Sequence, residues 1–138
     1  MSIYDVFSGG SKPFDKEQWA AQKQAQRKEA YELIDNTCSE MMSSGDSFRQ
    51  YLDVQGRFDR YSVNNAILVS AQMPEATQLK EKAAWKQSRV YVNKDAQKVV
   101  ILEPSKEYTR GDGSKAVGYN AKEVYDISET SAKDRQEA

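Results

Sequence analysis

Trp85-Lys86-Gln87-Ser88-Arg89-Val90-Tyr91-Val92-Asn93-Lys94-Asp95-Ala96-Gln97-Lys98-Val99-Val100-Ile101-Leu102 is where the chain changes character. Before it, apolar residues recur at three- and four-residue spacing, the period of a helix. Within it, two β-branched runs, Arg89–Val92 and Val99–Leu102, flank the polar stretch Asn93–Lys98, and the pattern predicts a hairpin. Helices followed by an antiparallel sheet is the α+β order.

Working upstream, Ser62 is placed to cap a helix over Val63–Gln72, apolar nearly all round and so expected at the centre of the fold. Pro74 ends it, and a short helix is expected over Thr77–Gln87. Asp15 with Gln18 resembles a capping box and opens a long helix, whose second half carries Ala30, Leu33, Ile34, Cys38, Met41 and Met42 as an apolar stripe. Ser43-Ser44-Gly45 stops that helix. Ser47 with Gln50 reads as the next capping box, for a helix presenting Phe48, Tyr51, Leu52 and Phe58 on one side. Residues 1–13 contain Ser8-Gly9-Gly10-Ser11 and read as a flexible N-terminal segment.

Downstream, Tyr108–Arg110 and Ala116–Tyr119 flank Gly111-Asp112-Gly113-Ser114, a strong turn signal. Val124–Ile127 is a last candidate strand. The expectation is one α+β domain over residues 14–130, N-terminal helices followed by a small antiparallel β-sheet, with 131–138 as a polar tail or linker.

The chain has 138 residues, a formal net charge of -1, no histidine and one cysteine, Cys38. Without imidazole the commonest general base and metal ligand is missing. A single thiol excludes an intramolecular disulfide and a cysteine-rich zinc site. No cofactor and no enzymatic activity are expected. The lone thiol, with no leader and no membrane-spanning run in the sequence, suits a cytoplasmic protein without a membrane partner.

Charge is unevenly spread. Residues 77–115 hold nine basic side chains against five acidic, a surplus of +4 that the acidic ends conceal. Trp85, Tyr91, Tyr108 and Tyr119 are interleaved with those cations. Cations that follow a phosphate backbone, beside rings on which bases stack, make a single-strand binding surface. The same lysines could equally serve solubility and protect a sheet edge. Asn65 and Gln72, on an otherwise apolar helix, either tie that helix to a neighbouring loop backbone or reach bases or phosphates; Trp85 is either a core residue or a stacking platform.

From Tyr61 the chain reads Tyr-Ser-Val-Asn-Asn-Ala-Ile-Leu-Val-Ser-Ala-Gln-Met-Pro-Glu-Ala-Thr, followed by Trp85. This resembles the N-terminal domain of ArdC-type antirestriction proteins. Asn65, Gln72, Pro74, Ala76, Thr77 and Trp85 fall on that family's positions, as do Val92, Lys94, Val99, Ile101 and Pro104. Val124-Tyr125-Asp126-Ile127-Ser128, with Thr130, resembles the family's closing strand. The similarity covers about residues 15–130. The family's hairpin glycines are replaced by Arg89, Asp95 and Lys98, its arginine by Val90 and its glutamate by Ala96.

The resemblance implies a non-enzymatic domain that binds single-stranded DNA, in an antirestriction-type protein of a bacterial plasmid, phage or other mobile element. It also implies a further domain or partner protein C-terminal to it, often a zinc peptidase-like one, whose His-Glu-x-x-His is not in this chain. The candidate nucleic-acid-binding residues are Asn65, Gln72, Trp85, Lys86, Arg89, Tyr91, Lys94, Lys98, Tyr108 and Arg110. The alternative is a protein-interaction module that recruits or inhibits a partner enzyme.

Overall fold

The computed structural model describes residues 15–105 and 108–132. The expected flexible segment 1–13 and most of the expected tail lie outside them. Helices occupy the N-terminal part and a small antiparallel sheet follows, an α+β fold.

Helix α1 (Lys16–Ser43) starts at Asp15, whose side chain accepts from the Gln18 N–H at 3.1 Å. Helix α2 (Gly45–Arg57) is capped one turn earlier than the sequence suggests, because Ser44, not Ser47, adopts the extended cap conformation and accepts from the Ser47 N–H. The inward side is carried by Val54 and Phe58, with Tyr51 partly buried. Val54 is fully buried, whereas Phe48 and Leu52 are half-exposed and Met42, at the end of α1, is 90% exposed. Helix α3 (Val63–Gln72) is capped by Ser62 and buries Ala66 through Ser70 without a break, as its apolar composition requires. Full burial of a side chain such as Leu68 contributes about 1.5–3 kcal/mol, which is why this helix sits innermost.

The expected helix over Thr77–Gln87 is shorter, because Leu79–Lys80 forms strand β1 and only Lys82–Gln87 is helical (α4). Asp126 decides this. Its Oδ1 accepts the Thr77 and Gln78 N–H groups at 2.8 and 2.9 Å, holding them outside any helix.

The remaining strands are β2 (Lys98–Pro104), β3 (Tyr108–Thr109), β4 (Lys115–Ala116) and β5 (Tyr119–Asp126). The main sheet has the order β1-β5-β2, all antiparallel. β2 therefore pairs with β5, from Lys98↔Tyr125 to Pro104↔Tyr119, and the hairpin expected between Arg89–Val92 and Val99–Leu102 does not form. Tyr91–Asn93 instead runs beside Glu129–Ser131. Ser131 N–H donates to the Tyr91 carbonyl, Asn93 N–H donates to Glu129, and Val92 bridges Thr130. A seven-pair ladder buries more apolar side chain than a four-residue hairpin can, and local pattern carries no record of that competition.

β3 and β4 pair beyond the far end of β2 and β5, and Arg110–Ser114 closes the tip, with Gly113 at φ 88. Only glycine takes that conformation without strain. The Asp-Gly turn expected here is present.

One face of the sheet packs Val99, Ile101 and Val124 against Val54, Phe58, Ala66 and Met73. Leu102 packs with Ala30, Ile34, Ile67 and Leu68 beneath α1. A third cluster joins Trp85, Val90 and Ala132, so packing continues two residues past position 130.

Candidate nucleic-acid interface

Seven pairs separate the two ends of the β2–β5 ladder, about 20 Å of strand. The candidate binding residues divide between these ends. Trp85, Lys86, Arg89, Tyr91, Lys94 and Lys98 belong to the end at Lys98–Tyr125. Tyr108 and Arg110 lie on the hairpin that extends from the end at Pro104–Tyr119. They do not form one surface.

At the first end Trp85 and Lys98 are already engaged. Trp85 is 3% exposed, and its indole Nε1–H donates to the Tyr125 carbonyl at 2.8 Å. Lys80 lies 4.9 Å from the ring centre. The tryptophan is thus a core residue and offers no stacking platform. Lys98 donates to Glu123 at 3.1 Å, and this bond, with one from Gln26, holds the Glu123 carboxyl below the usual range.

Arg89 has φ 60, the left-handed region that favours glycine. It occupies the turn that ends α4. Its N–H donates to Lys86 and the Val90 N–H to Trp85, while Val90 packs on Trp85, the pattern by which a left-handed residue terminates a helix. Arg89 thus has a conformation that glycine favours. Lys86, Arg89, Tyr91 and Lys94 are exposed.

Asn65 and Gln72 are also engaged. β2 is an edge strand, and its outward N–H and C=O groups would be unpaired. The Asn65 amide donates to the Leu102 carbonyl and accepts from the Leu102 N–H, both at 2.8 Å. Gln72 does the same for Val100, at 2.7 and 2.9 Å. Two side-chain amides of α3 thus replace a missing strand. Leaving such groups buried and unpaired costs about 1–3 kcal/mol each. Of the two readings of these residues, tying the helix to backbone is the one the geometry fits, with a strand rather than a loop as the partner.

The other end of the sheet holds residues that the sequence reading passed over. Trp19, Lys23, Arg27 and Tyr31 follow one another at four-residue steps on α1, which places them along one side of the helix. A cleft of about 590 Å³ is lined by Trp19, Lys23, Arg27, Glu103 and Asn120 among others. A second, of about 340 Å³, is lined by Tyr31, Arg60, Tyr61, Asn64, Pro104 and Tyr119 among others. The two adjoin through consecutive residues of β2 and β5. Trp19 is 51%, Tyr31 40%, Tyr108 50% and Tyr119 46% exposed.

Glu103 faces Lys122 at 3.3 Å, and Lys122 also reaches Glu81 at 3.2 Å. Burial alone would lower the Lys122 ammonium; the two carboxylates outweigh it and raise it. Lys23, Arg27, Arg60, Arg110 and Lys115 form no salt bridge among the described residues. The four-residue spacing on α1 was the available sequence signal. Alternating rings with cations, it forms no apolar stripe and so gives no core signal.

Among the described residues no helix is long and apolar enough to cross a membrane, and no three acidic or cysteine side chains gather where they could hold a metal ion. Comparison with known proteins finds no matching family model, curated protein or solved structure.

Proposed function

We propose that this chain is a non-enzymatic single-stranded-DNA-binding domain. The carrying observation is the end of the sheet at Pro104–Tyr119, where Trp19, Tyr31 and Tyr119, each 40% exposed or more, line two clefts with Lys23, Arg27 and Arg60, and where the hairpin carrying Tyr108 and Arg110 begins. Exposed rings accept bases irrespective of sequence, and cations follow the phosphates. The candidate surface thus moves from the stretch 85–98 to the clefts beside α1. Lys86, Arg89, Tyr91 and Lys94 remain as exposed groups at the opposite end. An antirestriction role in a mobile element rests on the resemblance of residues 61–77 and their companions.

The test is fluorescence anisotropy with a labelled single-stranded oligonucleotide at low salt, repeated with duplex. The expected result is binding that weakens steeply as salt rises, because phosphate contacts release counterions. Absence of binding at low salt refutes the reading.

A second reading, a protein-interaction module, has its own observation. Met42, Phe48 and Leu52 stand exposed at the α1–α2 corner. A salt-insensitive complex abolished by Phe48→Ser with Leu52→Ser, and indifferent to Lys23→Ala, would favour it.

A further inference from the structure

The smaller cleft differs from the larger in chemistry. Its walls come from separate elements: Tyr31 from α1, Arg60 and Tyr61 from the α2–α3 turn, Asn64 from α3 and Tyr119 from β5. Tyr61 is anchored from behind by Phe58, the ring centres lying 4.9 Å apart. Pro104 and Leu102 supply apolar lining. Neighbouring Asn65 spends its amide on Leu102, whereas the exposed Asn64 amide enters no hydrogen bond among the described residues. The site therefore combines flat rings, an uncommitted group that can both donate and accept, and a guanidinium.

We infer that this cleft takes a single nucleobase turned out of the bound strand, read along its edge by Asn64, with Arg60 on an adjacent phosphate. This rests on the single-stranded-DNA reading and adds base preference to it. A carboxamide can pair simultaneously with a donor and an acceptor on a base edge, which a lysine cannot. Unstacked bases of single strands are read in this way, held on aromatic rings and hydrogen-bonded along their edges. The volume, about 340 Å³, lies at the small-ligand end of binding clefts, enough for a nucleoside and too small for a stacked run of bases. The larger cleft, with Lys23 and Arg27 and no comparable ring of tyrosines, serves the flanking phosphates.

The experiment measures affinity for oligo-dA, oligo-dC and oligo-dT of equal length at one salt concentration. It compares wild type, Asn64→Ala, Tyr119→Ala and Tyr119→Phe. Wild type is expected to rank the three bases several-fold apart, and Asn64→Ala to collapse that ranking without altering the salt dependence. Tyr119→Ala is expected to weaken binding roughly tenfold, and Tyr119→Phe to restore it. Asn64 and Tyr119 are both exposed, so these variants are expected to keep the fold, which circular dichroism checks. Wild-type binding with Asn64→Ala and Tyr119→Ala both indistinguishable from it overturns the base pocket and leaves the DNA-binding reading standing. No wild-type binding to any of the three overturns both.

Discussion

The two ends of the sheet carry similar residue types and use some of them differently. At the end near Lys98 and Tyr125, an aromatic ring is buried, a lysine is paired and an arginine shapes a helix terminus. At the end near Pro104 and Tyr119, exposed rings line two clefts together with Lys23, Arg27 and Arg60, which form no salt bridge among the described residues. At the first end Lys86, Arg89, Tyr91 and Lys94 are exposed as well, but line neither cleft. Basic and aromatic composition therefore does not by itself mark a binding surface. What sets the proposed surface apart is that its rings and cations line clefts, whereas Trp85 and Lys98 at the other end are committed to Tyr125 and Glu123.

Trp85→Ala gives the largest contrast. It removes a buried indole and orphans the Tyr125 carbonyl, and is expected to cost about 3–5 kcal/mol in chemical denaturation. The folded fraction is expected to bind DNA as wild type does; a specific loss of affinity would return the indole to the interface.

Asp126 comes next. Its carboxylate is 2% exposed and accepts from the N–H groups of Thr77, Gln78 and Ser128 and the Ser128 hydroxyl. Burial would raise its pKa, but these bonds prevail and lower it. A carboxylate depressed on folding contributes stability that is present above its unfolded pKa, about 3.9, and lost as pH falls through the folded value. Asp126→Asn is expected to cost about 2 kcal/mol at neutral pH. The gap from wild type should narrow below about pH 4, followed by urea midpoints across pH. A constant gap would mean that the charge contributes nothing.

A smaller effect is expected from Lys23→Ala combined with Arg27→Ala, now on binding rather than folding. Affinity is expected to fall roughly tenfold and the logarithmic salt slope to flatten by about 1.4, the share of two phosphate contacts. The matching pair Lys86→Ala with Lys94→Ala is expected to change the slope little. A reversal of these two outcomes would move the interface to the opposite end of the sheet.

The smallest expected effect is a gain. Arg89→Gly relieves a left-handed backbone, for which a side chain costs about 1 kcal/mol, and is expected to raise the thermal midpoint. Unchanged DNA affinity would separate this residue's role in the turn from binding.

The resemblance to ArdC-type domains gains a physical meaning from the same contrast. Asn65, Gln72, Ala76, Trp85, Val99, Ile101, Val124, Asp126 and Thr130 all lie in the core or bond backbone across the fold. Most of the residues quoted for the likeness thus have structural roles in this fold, whereas Lys94 and Pro104 among them are exposed. Tyr31 and Tyr119, proposed to meet the ligand, lie outside those positions, and Asn64 stands next to one of them, Asn65.

What the sequence determined alone was whatever acts within three or four residues: the Asp15 and Ser62 caps, the Asp-Gly tip and the innermost helix. Such bonds depend on local backbone and survive reading in isolation. The tertiary structure decided the rest. Asn65 meets Leu102 across 37 residues, Gln72 meets Val100 across 28, Trp85 meets Tyr125 across 40 and Thr77 meets Asp126 across 49. At those separations a polar group has many candidate partners, and only competition among buried surfaces selects one. Which strand pairs with β2, and so which rings and cations are left for a ligand, is settled there.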